Sequence, residues 1–128
     1  MAISTKNTYV FDVDGTICSI KEPEESYSDV TADQDIVDII NKLHYNGYHI
    51  ILHTARGMRT YDGDIDNINK FVRPELEAWL AKHKINYHEL IMGKPWGPNV
   101  SYIDDRAFRP DEFIFLSSEI LPYLKDPE

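Results

Sequence analysis

The chain has 128 residues, 42% of them hydrophobic, and a formal net charge of −9. That is enough apolar material for one packed core and too much for a disordered chain, while the acidic balance disfavours nucleic acid and anionic membranes as partners. No apolar run approaches the roughly 18 residues of a bilayer span, residues 1–6 lack the apolar core of a signal peptide, and the lone Cys18 has no internal disulfide partner, so one cytoplasmic domain over residues 1–128 is expected. In chain order, the first predicted element is a strand over residues 9–13, apolar up to Asp12 as a central parallel strand is. Residues 19–30 are polar and acidic, contain Pro23, and read as a long loop. Thr31 and Gln34 form a capping-box pattern ahead of a helix over residues 32–46, with Ile36, Ile40 and Leu43 on one face and Gly47 as its stop. A second strand is predicted over residues 48–53 and a loop over 57–66. Apolar spacing resumes at Ile65, Ile68, Val72, Leu76 and Trp79, and Pro74 within it predicts either a kink or a fresh helix start. Two short strands over residues 89–92 and 100–103 precede a last helix opened by Pro110, Asp111 and Glu112, which carries Phe113, Leu116, Ile120 and Leu121.

This β-α-β-α-β-β-α order predicts an α/β fold: a Rossmann-like three-layer sandwich around a small parallel sheet of about four strands. In such sheets ligands bind beyond the carboxyl ends of the strands. The residues found there are Asp12 and Asp14, then Thr54-Ala55-Arg56, then Gly93-Lys94, then Asp104-Asp105-Arg106. Every predicted strand thus ends in groups suited to phosphate or cation chemistry. Two carboxylates side by side at the end of a buried strand are costly unless such chemistry uses them.

Asp12-Val13-Asp14-Gly15-Thr16, Leu52-His53-Thr54, Lys94 and Tyr102-Ile103-Asp104-Asp105 stand in the order of the four motifs of the haloacid dehalogenase (HAD) superfamily phosphatases, which the chain resembles over nearly its whole length. Within that superfamily, Thr54-Ala55-Arg56-Gly57-Met58, Gly93-Lys94-Pro95-Trp96 and Tyr102–Ala107 most resemble small members associated with capsular polysaccharide biosynthesis. The resemblance implies an Mg²⁺-dependent phosphomonoester hydrolase acting on a small phosphorylated metabolite such as a sugar phosphate. Asp12 is then the nucleophile that forms an aspartyl phosphate, and Asp14 the general acid and base. Thr54, Ala55, Arg56 and Lys94 are the implied phosphate and substrate contacts, with Lys94 neutralising charge on the transferring group. Asp12, the Asp14 carbonyl, Asp104 and Asp105 form the implied oxygen set for Mg²⁺, with Asp104 favoured as the direct ligand. Arg106 either clamps substrate or pairs with its neighbouring aspartates.

The five histidines show no zinc spacing, and alternation should turn His53 to the face opposite Thr54. Trp79 reads as core. Trp96, between Pro95 and Pro98, either stacks on a sugar or base or covers the sheet end. The gaps after the first motif and the second strand are too short for a cap domain, so an open, capless site is expected. Such a site accepts a large substrate or borrows a lid by homo-oligomerising. Residues 58–63, between Gly57 and Gly63, read either as an intrinsic lid or as a plain surface loop. Two other functions compete: a nucleic-acid end phosphatase, which the charge disfavours, and a phosphoacceptor module. The latter carries its acidic pair on the first strand and its threonine and lysine last, an order not seen here.

Overall fold

A computed structural model describes residues 7–127; residues 1–6, where a signal peptide's apolar core would fall, lie outside them. Strands β1 (Thr8–Phe11), β2 (His49–Thr54) and β3 (Glu89–Met92) form a parallel sheet in that order. Helix α1 (Gln34–Tyr45) connects β1 to β2, and α2 (Ile65–Phe71) and α3 (Arg73–Lys82) connect β2 to β3. Helix α4 (Pro110–Ser117) lies near the end of the chain. Both crossovers step across the sheet in the same direction, and right-handed connections then put α1, α2 and α3 on one face. Helix α4 joins that face, where Phe113 meets Phe11 and Tyr9 at ring distances of 5.3 and 5.4 Å.

Burial follows the alternation of the strands. Phe11, Ile50, Leu52, Thr54, Leu90 and Met92 point into the covered side and are buried, whereas Val10 is 59% exposed on the other. The α/β class and the parallel sheet are those expected from the sequence. The third layer is a correction: among the described residues no helix covers the second face. The core lies between the sheet and α1, α2 and α3, built from Ile36, Ile40, Leu43, Ile68, Leu76 and Leu80, all fully buried. Each such side chain contributes about 1.5–3 kcal/mol on burial, which makes the sheet a firm platform for the loops at its carboxyl end. Trp79 is part of this core, its indole N–H donating to the Val30 carbonyl at 2.8 Å.

The fourth strand is a second correction. Residues 100–103 pair with no strand, and Ile103 is fully exposed. A parallel neighbour requires the chain to cross back to the start of the sheet, which takes about a dozen residues or more. The connection from Met92 to Val100 is shorter, and Pro95 and Pro98 remove two ladder donors from it. The start of α1 differs as well. Its cap is Asp33, whose carboxylate accepts from the Asp35 and Ile36 N–H groups, rather than Thr31. The Asp33 N–H is tied to the Ile17 carbonyl at 2.7 Å and Ala32 bridges to Cys18, so the chain stays extended until Asp33. Pro74 opens a fresh helix in the first turn of α3, as one of the two sequence readings held.

Candidate active site

Strand β1 stops at Phe11, and the next five residues wind into a turn. The N–H groups of Thr16, Ile17 and Cys18 converge on the carbonyl of fully buried Val13, at 3.1, 2.9 and 3.3 Å. Gly15 adopts φ +87°, a left-handed conformation that a side chain would strain. With Val13 anchored inward, Asp12 and Asp14 emerge half-buried beyond the end of the sheet.

Asp12 faces Lys94. The ammonium lies 3.4 Å from Asp12 Oδ1, and the Lys94 backbone is fixed by its N–H donating to the Thr54 carbonyl at 3.0 Å. Gly93, at φ +89°, makes the sharp exit from β3 that sends Lys94 toward β1. The Lys94 ammonium also lies over the Tyr102 ring, 4.8 Å from its centroid, and the Tyr102 hydroxyl donates to the Pro95 carbonyl. His53 shares this field. Burial, and then the positive charge of Lys94, push its pKa below the usual histidine range, while Asp12 pulls it back up. Alternation does turn His53 away from buried Thr54, but the face it turns to is the face of Asp12. The same parity argument, extended from β1 to β2, would have placed His53 beside the site.

Asp14 is held from two sides. Arg56 donates to it twice, Nη2 to Oδ1 at 2.8 Å and Nε to Oδ2 at 3.3 Å. Cys18 Sγ donates to Oδ1 at 3.6 Å. Burial, followed by the negative charge of Asp14, pushes the Cys18 thiol up to about 12. The Arg56 side chain is 2% exposed, and its guanidinium lies 4.0 Å from the ring centroid of Tyr27, which reaches over it from the loop between β1 and α1. Arg56 Nη1 is buried without a hydrogen-bond partner. Arg56, expected as a substrate clamp, thus spends two of its three nitrogens on Asp14. The Thr54 hydroxyl, expected on phosphate, is buried and accepts the Arg56 N–H at 3.0 Å, while the Ala55 carbonyl accepts from Met58. Residues 58–63 are wound into turns, with Tyr61 stacked on Phe71 at 5.9 Å. Tyr27 and Cys18 were not singled out from the sequence, since nothing local in it ties an aromatic in an acidic loop to Arg56.

Asp104 and Asp105 stand apart from this cluster. Both are exposed, and Asp104 Oδ1 accepts the Arg106 N–H at 2.8 Å in a local turn. Among the described residues, no three His, Cys, Asp or Glu side chains gather where a metal ion could be held. The Asp14 carboxylate is occupied by Arg56 and that of Asp12 by Lys94. Of the oxygen set that the resemblance implies for magnesium, the Asp12 carboxylate and the Asp14 carbonyl share the turn beyond β1, while Asp104 and Asp105 stand on the exposed segment that follows Tyr102.

A Vibrio cholerae protein of known crystal structure is 36% identical over 91% of this chain and 94% of its own, with a TM-score of 0.81. This chain belongs to that protein's family. A chain of the Pnkp1/Rnl/Hen1 RNA repair complex is 20% identical, with a TM-score of 0.50, over 94% of this chain and 33% of its own. The D,D-heptose 1,7-bisphosphate phosphatase of B. bronchiseptica, complexed with magnesium and phosphate, is 18% identical over 89% of this chain and 63% of its own, with a TM-score of 0.49. No family model matches the chain, and no curated protein does. The fold is an α/β fold around a three-stranded parallel sheet, shared with the RNA repair chain, with the Asp-x-Asp turn at the end of β1.

Proposed function

We propose that this protein is a HAD-type phosphomonoester hydrolase that works through an aspartyl phosphate on Asp12, with a small phosphorylated metabolite such as a sugar phosphate as its substrate. The observation that carries this reading is the Lys94 ammonium 3.4 Å from Asp12 at the carboxyl end of the parallel sheet. An ammonium there attracts a phosphate dianion and offsets the charge that builds up during transfer. The Asp12 carboxylate oxygen bonds to phosphorus as the bond to the leaving oxygen breaks, and Asp14 gives that oxygen its proton. Asp14 then takes a proton from water, which attacks phosphorus and releases inorganic phosphate and free Asp12. As an acceptor of donors from Arg56 and Cys18, Asp14 is set for this second half. The first half requires Arg56 to give up one of its bonds. Magnesium, which the resemblance implies, would shield the Asp12 carboxylate from the phosphate dianion when bound.

The connection from β1 to α1 and that from β2 to α2 carry loops without a cap domain, which supports an open site. The charge of −9 supports a soluble metabolite over a nucleic-acid end. The likeness to a chain of an RNA repair complex extends to the fold and not to a substrate. The test is turnover of a generic phosphomonoester and of a panel of sugar phosphates, nucleotides and 3′-phosphorylated oligonucleotides with added Mg²⁺. Asp12→Asn should abolish turnover with the fold intact, and persistent turnover would remove Asp12 as nucleophile.

A further inference from the structure

Beside Lys94 runs a loop with two exposed aromatics, Trp96 and Tyr102, that the proposed chemistry does not use. Tyr102 packs one ring face against the Lys94 ammonium at 4.8 Å, yet 57% of the residue remains exposed. Trp96, two residues after Lys94, is 52% exposed. Both belong to one short loop that is held in shape. The Tyr102 hydroxyl donates to the Pro95 carbonyl, and the Val100 N–H donates to the Gly97 carbonyl at 3.2 Å. Pro95 and Pro98 fix φ on either side of Gly97. A side chain at Gly97 would sit 3.1 Å from Val100 Cγ2, so the turn is closely packed. Two large aromatics are thus kept in water by a stiffened loop whose first residue touches the candidate nucleophile. Tyr102 already contacts the Lys94 ammonium, so a ligand drawn to that charge meets this loop.

The geometry points to Trp96 and Tyr102 as a subsite for the leaving group, one that takes a ring with an apolar face and disfavours an acyclic polar chain. This rests on the proposed phosphatase reading and names its substrate class. Phosphate held between Lys94 and Asp12 would place the attached alcohol against this loop. A ring face gains by stacking on aromatic carbon, whereas an acyclic polyol would desolvate hydroxyls without return. A hexose ring and a nucleobase both offer such a face, and the test separates them.

The experiment compares kcat/KM for an aldohexose phosphate, a ribonucleoside monophosphate and glycerol 3-phosphate in the wild type, Trp96→Ala and Tyr102→Ala proteins. It adds quenching of tryptophan emission by the free sugar or nucleoside. That signal reports on Trp96, since the other tryptophan, Trp79, is buried and hydrogen-bonded. The ring-bearing substrate should be preferred in the wild type, and each variant should lower the ring-to-acyclic ratio about tenfold, as loss of one stacking partner does. The ring compound that quenches Trp96 identifies which ring the subsite takes, and Tyr102→Ala should weaken that quenching. Turnover of all three substrates with an unchanged ratio in both variants and no quenching would overturn the subsite. Quenching without turnover of any substrate would instead overturn the phosphatase reading while leaving the subsite in place.

Discussion

Arg56 grips Asp14 with two nitrogens, at 2.8 and 3.3 Å, from a position almost sealed from solvent. The grip depends on the fork of the guanidinium, with Tyr27 above it. A lysine supplies a point charge and cannot bond both carboxylate oxygens in the same plane. Arg56→Lys should therefore cut kcat by about tenfold or more with a smaller change in KM, because Asp14 loses its orientation while Asp12 and Lys94 are untouched. Steady-state kinetics on the best substrate of the panel reads this directly. A wild-type kcat in Arg56→Lys would show that the fork does not set Asp14.

Cys18 supplies a test in alkali. Its pKa in the folded chain is raised to about 12 from an ordinary 9.0, by burial first and then by Asp14. A folded value above the unfolded one means that stability is fully present below the unfolded value and is lost as pH rises toward the folded one. The loss should begin near pH 9 and run at up to about 1.4 kcal/mol per pH unit. Tyr9, Tyr27 and Tyr87, raised chiefly by burial, act in the same direction above pH 10. Urea unfolding between pH 8 and 11 should show the decline, and Cys18→Ala should flatten its first part. Equal slopes in the two proteins would assign the loss elsewhere.

His53 reports on Lys94. Its pKa is lowered by burial and then by the Lys94 charge, with Asp12 acting against both. Lys94→Gln removes a lowering influence, so the His53 imidazole should titrate at higher pH in the variant. A proton NMR titration of the histidine ring signals would follow it. A value that falls or stays fixed would place Lys94 away from His53 and Asp12.

Magnesium alone should stabilise the protein little. The Asp12 carboxylate is paired with Lys94, and Asp104 accepts the Arg106 N–H in a local turn. Millimolar Mg²⁺ in the absence of a phosphorylated ligand should leave Tm within about a degree, since only tight binding to the folded state raises it. A rise of several degrees that disappears in Asp104→Asn would show that Asp104 joins Asp12 in solution.

The parts of this architecture written in local pattern were legible in the sequence. The three paired strands and the α1 face of Ile36, Ile40 and Leu43 follow from periodicity, and Pro74 marks a break that backbone chemistry leaves as either a kink or a restart. Lys94 reaching Asp12 follows from both lying at carboxyl ends of parallel strands. Contacts that join distant segments were not legible. Tyr27 on Arg56 and Cys18 on Asp14 depend on how the 19–30 loop and its preceding turn fold back, which no period encodes. The fourth strand misled because Val100–Ile103 has strand-like residues, while the connection that would have to place it is too short to cross the sheet.

The central claim is covalent transfer to Asp12. Rapid acid quench of the protein during turnover, followed by peptide mass analysis, tests it most directly. The account predicts one phosphoryl group, labile to base and to hydroxylamine, on the peptide that carries Asp12, enriched in Asp14→Asn and absent in Asp12→Asn. A phosphoryl group on any other residue, or steady turnover with no trapped group in either the wild type or Asp14→Asn, would contradict it.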